Sequence, residues 1–340
     1  MPGTPGRPTL ATVAESAGVS VATVSKVLNG REDVAPATRA RVQELLRAHD
    51  YAGRLIAIQR HPTVELTFRG RIGGYSAEII QGVASAAADL SAAVTISVKS
   101  QRPSRLTANQ WARDLAANGR RAVIAVTDEL GEKEIAALAR MRLPIVVIDP
   151  MNIPSPEIVS VGSTNFRGGM AAARHLLSLG HRRIAYLGGN VAAECNQARL
   201  QGFKGALEAA DVGLPDGYVH NTGDFMFEEG ISGGPLLLDL PTRPTAIFAA
   251  SDELARGVIE AARARRLSVP EDVSIVGFDD TELARIASPP LTTVRQPLKD
   301  MGAVALRTAL RLAAGESIDS NHVELATELI VRSSTAAPPA

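Results

Sequence analysis

The stretch TLATVAESAGVSVATVSKVLN, residues 9–29, decides the fold of the N-terminal region. Its first half carries apolar residues at helical spacing, which predicts a short helix with one apolar face. Gly18 supplies the left-handed backbone that ends such a helix. Ser20 can start a second helix by accepting a hydrogen bond from the backbone N–H of Thr23. Two short helices joined by a tight glycine turn predict a helix-turn-helix.

The outward positions of the second helix favour contact with DNA. They are small, hydroxyl-bearing or basic, and none is acidic: Ser20, Val21, Ala22, Thr23, Ser25 and Lys26. Hydroxyls hold phosphates, lysine reaches guanine, and small apolar groups touch thymine methyls. A solvent-facing helix without a nucleic-acid role normally includes Glu or Asp. The alternative, an ordinary helical hairpin at the edge of a larger domain, explains the two helices but not this surface.

Composition and charge limit the class of protein. A length of 340 residues with 45% hydrophobic residues predicts two or three folded units. Residues 1–60 carry eight basic and five acidic residues, against 28 and 31 in the rest, so the positive charge lies in the N-terminal region. The single cysteine, Cys195, fits a reducing compartment. No membrane span or secretory signal is apparent, and we expect a cytoplasmic protein, nucleoid-associated through DNA.

From Val64 onward the chain predicts an α/β fold. Short β-branched runs alternate with helix-length segments, which is typical of parallel sheets. The predicted strands are 94–98, 122–126, 145–148, 184–187, 246–249 and 274–276. Ligands bind beyond the carboxyl ends of such strands. That rule selects the loops that carry Asp279, Ser251 with Asp252, Gln197 with Arg199, and Arg71 with Tyr75.

No pattern indicates an enzyme. The sequence has no nucleophile elbow, phosphate-binding loop or zinc-ligand spacing. The paired glycines lack phosphate-loop spacing, and turns explain them. We therefore expect no catalytic residues, no cofactor and no metal.

The run AGVSVATVSKVLNG, residues 17–30, resembles the headpiece of the lactose-repressor (LacI/GalR) family of transcription factors. Val34, Thr38, Arg41, Val42 and Tyr51 continue the match. Five later blocks extend it over almost the whole chain: VGSTNFRGG (161–169), HLLSLGHRRIAYLGG (175–189), ARLQGF (198–203), PTAIFAASDELARGV (244–258) and VPEDVSIVGFDDTELARIASPPLTTVRQP (269–297). Five ordered blocks and a headpiece make the resemblance highly specific.

The resemblance implies a three-helix headpiece followed by two Rossmann-like subdomains of the periplasmic-binding-protein type. We expect the headpiece at 1–50, a hinge at 51–63 and an effector-binding and dimerisation domain at 64–334. Within that domain, one subdomain comprises 64–161 and 292–321, and the other comprises 162–291 and 322–334. Residues 335–340 are expected to be a disordered tail.

Contacts with operator DNA are expected from the headpiece and hinge: Thr9, Leu10, Ser20, Val21, Ala22, Thr23, Ser25, Lys26, Asn29, Thr38, Tyr51, Arg54, Leu55 and Arg60. The hinge departs from the family pattern. Gly53 stands where proline is usual, Arg54 where asparagine is usual, and Arg60 where a leucine wedge is expected. Either Leu55 or Ile56 supplies the wedge in another register, or Arg60 reads a narrow minor groove.

The family match also implies a small-molecule site between the subdomains. Its expected residues are Arg71, Tyr75, Asn165, Gln197, Phe225, Ser251, Asp252, Asp279 and Gln296. Asp279 is the strongest candidate because a carboxylate can accept two sugar hydroxyls. Gln197 stands where many members have a ligand-binding arginine, which favours a neutral saccharide. We interpret Arg199, two residues later, as structural.

These features together predict a homodimeric repressor of sugar-utilisation genes. A saccharide bound between the subdomains would release it from a palindromic operator. Two alternatives stay open, a regulator that needs a co-repressor and a sugar-binding protein without a DNA role. The second explains neither the headpiece nor the missing secretory signal.

Overall fold

The structure is a computed structural model in two compact units, one ending at His61 and one beginning at Pro62. It describes residues 10–28, 34–48, 61–99, 106–127, 130–151 and 157–339.

The N-terminal unit contains the predicted helix-turn-helix. Helix α1 spans Leu10–Ala17, α2 spans Val21–Leu28 and α3 spans Pro36–Ala48. Gly18 has the predicted left-handed backbone, with φ +67°, and the Thr23 amide donates to the Ser20 hydroxyl at 3.1 Å. Val13, Val24, Val42 and Leu46 are completely buried between the helices. Such a small core needs all three helices, because no pair of them would bury enough apolar surface to stand alone.

The C-terminal unit alternates strands and helices. Its first elements are β1 (Thr63–Arg69), α4 (Gly74–Asp89), β2 (Ala93–Lys99), α5 (Ala108–Ala117), β3 (Arg120–Val126), α6 (Glu132–Arg140), β4 (Ile145–Ile148) and β5 (Val159–Ser163). Then follow α7 (Asn165–Ser178), β6 (Ile184–Gly188), α8 (Glu194–Glu208), β7 (Val219–Asn221), α9 (Phe227–Leu238), β8 (Ala246–Ala249), α10 (Asp252–Ala264), β9 (Ser274–Asp279), α11 (Glu282–Ile286) and β10 (Thr292–Arg295). The last are α12 (Leu298–Ala313), β11 (His322–Leu325) and β12 (Glu328–Ile330). All six predicted strand segments are strands.

The strands form two six-stranded sheets. One has the order β11-β5-β4-β3-β1-β2, and all of its pairs are parallel. The other has the order β12-β10-β9-β8-β6-β7, with β12 antiparallel to β10. We call these sheets, with the helices packed on them, the N-subdomain and the C-subdomain. Each has its own buried core, the second one built around four aromatic rings: Tyr186, Phe203, Phe248 and Phe278.

The chain passes between the subdomains three times, each time slightly later than predicted. Pairing within the first sheet continues to Ser163, pairing within the second continues to Arg295, and β11 pairs in the first sheet as far as Leu325. The predicted boundaries at 161, 291 and 321 are therefore a few residues early. Apolar periodicity marks that a strand exists but not where its ladder ends, because the last hydrogen bonds depend on a partner strand distant in sequence.

The expected disordered tail is also corrected. The Ala336 amide donates to the hydroxyl of the buried Ser274 at 3.0 Å, and that hydroxyl donates to the Ala336 carbonyl at 3.2 Å. The buried His181 ring bonds the Ala336 carbonyl oxygen at 2.9 Å. Small and polar residues suggested a solvated end, but their polar groups complete the hydrogen bonding of buried strands.

Helices α7 and α8 approach so closely that glycine is required between them. A Cβ atom on Gly202 would collide with the Phe166 carbonyl, whereas one on Gly205, in the same helix, would meet nothing within 4 Å. We expect Gly202→Ala to lower the free energy of unfolding by about 2–3 kcal/mol, and Gly205→Ala to raise it by about 0.5–1 kcal/mol. Urea unfolding of both variants checks this. Equal effects of the two substitutions would contradict the close helix packing.

Candidate functional site

A cavity of about 250 Å³ lies between the two subdomains. Its walls come from loops that follow the carboxyl ends of strands in both sheets, which is where parallel sheets bind ligands. Arg71, Tyr75 and Asp149 contribute from the N-subdomain, and Phe225 and Asp279 contribute from the C-subdomain. A molecule in this cavity would contact both subdomains at once.

Tyr75 and Asp149 form the polar wall of the N-subdomain. The Tyr75 hydroxyl donates to Asp149 Oδ2 at 2.7 Å. Burial raises the pKa of Asp149, and the guanidinium of Arg199 and the Tyr75 hydroxyl oppose that rise. Asp149 also has left-handed backbone, with φ +43°, as does Thr127 after the neighbouring strand, with φ +44°. Strained residues at strand ends are typical of binding sites, because the surrounding fold holds their side chains in place.

Arg199 is the buried cation of the cavity. Its Nε donates to Asn165 Oδ1 at 2.8 Å and its Nη1 to the Ala250 carbonyl at 2.6 Å. The guanidinium carbon lies 3.8 Å from the centre of the Phe278 ring. Neither hydrogen bond uses Nη2, and Arg199 lines the cavity. The arrangement holds one guanidinium in a fixed orientation, with donors available for a ligand oxygen.

Asp279 lies at the end of β9, facing the cavity. Its backbone has φ +116°, and its Oδ1 accepts from Gln296 Nε2 at 2.7 Å. Burial raises the pKa of Asp279 well above its ordinary value, the charge of Arg199 lowers it, and the carboxylate of Asp252 raises it further. Gln296 in turn accepts from the Ser163 hydroxyl at 2.5 Å. Because Ser163 ends β5, this chain of hydrogen bonds joins the two subdomains behind the cavity.

The second helix of the N-terminal unit presents the predicted surface. Ser20, Val21, Ala22 and Lys26 are exposed, and Thr23 and Ser25 are half-buried. The Ser20 and Thr23 hydroxyls lie 2.9 Å apart at the start of the helix. Leu10 and Thr38, from α1 and α3, are also half-buried. The other predicted DNA contacts lie outside the described residues, as do residues 51–60 of the predicted hinge: Thr9, Asn29, Tyr51, Arg54, Leu55 and Arg60.

Comparisons with known proteins agree with both units. Residues 9–53 match the family "Bacterial regulatory proteins, lacI family", and residues 173–335 match the family "Periplasmic binding protein-like domain". Catabolite control protein A of Priestia megaterium is 31% identical over 335 residues, which cover 96% of this chain and 99% of that protein. The regulator CelR of Thermobifida fusca is 32% identical over 338 residues, covering 96% and 98%. The chain belongs to the LacI family.

Solved structures of LacI-family proteins have the same fold. The complex of the regulator CelR with cellobiose matches with a TM-score of 0.73 at 31% identity, covering 96% of this chain and all of that one. The lac repressor dimer bound to operator and an anti-inducer matches with a TM-score of 0.75 at 26% identity, covering 97% and 99%. The chain is thus a DNA-binding transcriptional regulator with two parallel-sheet subdomains. No helix in the described ranges has the length and apolar character that a membrane span requires.

The structure places five of the nine residues expected from the LacI resemblance in the cavity wall: Arg71, Tyr75, Phe225, Ser251 and Asp279. Ser251 also begins α10, where its hydroxyl accepts from the Leu254 amide at 3.0 Å and donates to the Phe225 carbonyl at 2.7 Å. Arg71 is exposed at the mouth of the cavity and pairs with Glu228 at 2.9 Å. Its role in ligand contact stays a prediction.

The other four expected residues do not line the cavity. Asp252 is completely buried and accepts from Thr281 and Thr293, so it joins α10 to the β9–β10 region. Asn165 and Gln296 are buried behind the wall, where they orient Arg199 and Asp279. Gln197 is exposed and donates to the Val191 carbonyl at 3.0 Å. Helical geometry explains this, because two positions along α8 differ by a rotation of about 200°. Gln197 and Arg199 therefore lie on opposite faces of the helix.

Two residues of the cavity were missed or misinterpreted from the sequence. Asp149 directly follows the buried run IVVI, so the strand-end rule applied there would have found it. The structural interpretation of Arg199 is incomplete, because this residue both braces neighbouring groups and lines the cavity. Because Gln197 lies outside the cavity wall, its identity does not favour a neutral ligand. Cys195 also lines the wall, and burial raises the pKa of its thiol to about 11, which disfavours the reactive thiolate.

Proposed function

We propose that this LacI-family regulator represses sugar-utilisation genes as a cytoplasmic homodimer on a palindromic operator. A saccharide bound in the cavity acts as the effector and weakens the operator complex. The proposal assigns no catalytic step, no metal and no cofactor. The CelR–cellobiose and lac repressor–operator complexes support it as structural relatives of this chain.

The observation that carries the proposal is the chemistry of the cavity wall. Asp149 and Asp279 provide carboxylate oxygens that accept hydrogen bonds from hydroxyls, and Arg199 provides donors for hydroxyl or ring oxygens. Phe225 adds an apolar ring for the C–H face of a sugar. The acidic residues that line the cavity outnumber the arginines by four to three, so a neutral polyol fits the site better than an anion: Asp149, Asp224, Glu253 and Asp279 against Arg69, Arg71 and Arg199. This supports the saccharide class without depending on Gln197.

The position of the cavity supports a switch. The ligand would touch loops of both subdomains, and the hydrogen bonds from Asp279 through Gln296 to Ser163 run between the two sheets. A ligand with different affinities for two arrangements of the subdomains shifts their populations. The ligand then changes the affinity for the operator. By linkage, the operator changes the affinity for the ligand by the same factor.

The test is a fluorescence-anisotropy titration of the full chain on its own upstream DNA. We would measure it at about 50 mM and about 200 mM salt, with and without a panel of monosaccharides and disaccharides. We expect specific, salt-dependent binding that one saccharide weakens by about tenfold or more. Lys26→Ala should reduce the affinity and relax the preference for guanine at the contacted position, as expected for loss of a base contact.

Each outcome of the titration separates the candidate functions. A saccharide that strengthens operator binding would make the chain a co-repressor-dependent regulator. Specific DNA binding that no saccharide alters would contradict the effector class. Absence of specific binding under every condition would contradict the repressor proposal as a whole.

A further inference from the structure

Helix α4 of the N-subdomain begins without a capping side chain of its own. Its N-cap residue is Gly73, which has no side chain to accept the free amide hydrogens of the first turn. The Gly74 amide instead donates to Glu253 Oε1 at 3.0 Å. Glu253 lies in the first turn of α10, in the C-subdomain. The cap of one subdomain's helix is thus supplied by the other subdomain.

The contact leaves no room for a side chain at position 73. A Cβ atom there would collide with Glu253 Oε1 and would lie 3.3 Å from Met226 Cε. A Cβ atom on Gly74 would lie 3.4 Å from Thr281 Cβ, also in the C-subdomain. The start of α4 is therefore packed directly on the opposite subdomain. Glycine at position 73 allows the carboxylate to reach the helix end.

The same carboxylate belongs to the cavity. Glu253 and Gly73 line its wall, and so do Tyr75 and Ser76 in the first turn of α4. A second contact between the subdomains, the Arg71–Glu228 ion pair, lies nearby, but its side chains are 67% and 61% exposed. Exposed ion pairs contribute little to stability. A carboxylate at a helix N-terminus is stabilised both by its hydrogen bond to a backbone amide and by the helix dipole. The Glu253 contact is therefore the stronger of the two.

We propose that Glu253 is a positioning residue that holds the cleft closed by capping α4 from the opposite subdomain. The cap and its geometry stand independently of the ligand. Its consequence for regulation rests on the proposed effector function. A ligand that fills the cavity and keeps its two walls together would strengthen the cap. Loss of the cap would favour the open cleft and lower the affinity for the ligand.

The test is hydrogen–deuterium exchange of the ligand-free full chain, followed in peptides that cover residues 70–80. We expect Glu253→Ala to speed exchange at the start of α4 about fivefold, the effect of losing one helix cap. Glu253→Gln should recover most of the protection, because its amide oxygen can accept the same hydrogen bond. Glu228→Ala is the matched control and should change exchange less than about twofold. Peptides from α8 report global stability and should not change in any variant.

A second substitution, at Gly73, tests whether Glu253 acts through its contact with the start of α4. Gly73→Ala should displace the flexible Glu253 carboxylate and reproduce the exchange of Glu253→Ala, and combining the two should add nothing further. Unchanged exchange at α4 in Glu253→Ala, or additive effects in the double variant, would overturn the proposal.

A saccharide arm separates this proposal from the proposed function. Glucose and cellobiose are the probes, added to the wild-type chain in the same exchange experiment. If one of them slows exchange at the start of α4 in wild type but not in Glu253→Ala, the cap is coupled to the cavity. Equal slowing in both proteins would overturn that coupling. If neither sugar slows exchange, the result counts against these sugars as effectors, and the ligand-free comparison still decides the role of Glu253.

Discussion

Asp279→Asn should reduce effector affinity about a hundredfold while leaving operator binding without effector unchanged. The carboxylate faces the cavity and can accept two hydroxyl hydrogen bonds, each of which contributes about 1.5 kcal/mol when the acceptor is charged. Losing two such bonds corresponds to about two powers of ten in affinity. Asparagine keeps an oxygen for the Gln296 amide, which lies 2.7 Å from Asp279 Oδ1, so the link behind the cavity is retained. Calorimetric titration of the effector and anisotropy on the operator check both parts.

The same variant tests a pH dependence. Burial raises the pKa of Asp279 well above its ordinary value. Hydroxyl donors favour the ionised carboxylate, so ligand binding competes with the proton, and affinity should rise with pH until the raised pKa is passed. Asparagine cannot titrate, so the affinity of the variant should rise less than that of wild type between about pH 5.5 and about pH 8. The pH dependence that remains belongs to Asp149, whose pKa burial also raises. Wild-type affinity that does not rise over this interval would mean that Asp279 does not receive the ligand's hydroxyls.

Asp252→Ala, by contrast, should destabilise the fold by about 3 kcal/mol without weakening effector binding by the folded protein. Asp252 is completely buried. Its Oδ2 accepts from the Thr281 amide at 2.7 Å and the Thr281 hydroxyl at 3.0 Å, and its Oδ1 accepts from the Thr293 hydroxyl at 2.5 Å. Alanine would leave these buried donors without their acceptor. Urea unfolding measures the loss, and effector titration below the transition measures binding.

Ser251→Ala is the matched control at the neighbouring position. It removes the hydroxyl that caps α10 and should cost about 1 kcal/mol, clearly less than the loss at Asp252. Because Ser251 also lines the cavity, this variant should lower the affinity for the effector as well. If Asp252→Ala instead lost effector affinity at full stability, Asp252 would belong to the binding site, as the sequence suggested.

Most of the fold could be predicted from local patterns. The helix pair follows from Gly18, Ser20 and an apolar spacing that one short segment carries by itself. The strands follow from short β-branched runs, which favour the extended backbone of a strand over a helix. The prediction of a disordered tail was wrong because the Ala336 backbone bonds Ser274 of β9 and His181, which lie far away in sequence. A local pattern contains no information about those partners.

The residues of the cavity were likewise only partly predictable from the sequence. The strand-end rule and the family resemblance selected Asp279, Phe225 and Tyr75, which do line the cavity. They also selected Asp252 and Gln197, because proximity in sequence to a strand end does not fix the direction of a side chain. Asp252 turns into the core and Gln197 turns outward around its helix.

The sequence by itself determined that this chain has a helix-turn-helix headpiece and an α/β body, and its family resemblance implied two subdomains with a cavity at their strand ends. The headpiece helices and the strands depend on residue spacing within one contiguous segment, which is why the sequence alone predicts them. Only the tertiary structure decided which side chains face the cavity, that Arg199 is its cation, and that Glu253 of one subdomain caps a helix of the other. These depend on residues far apart in sequence, whose distances are set by the packing of two sheets.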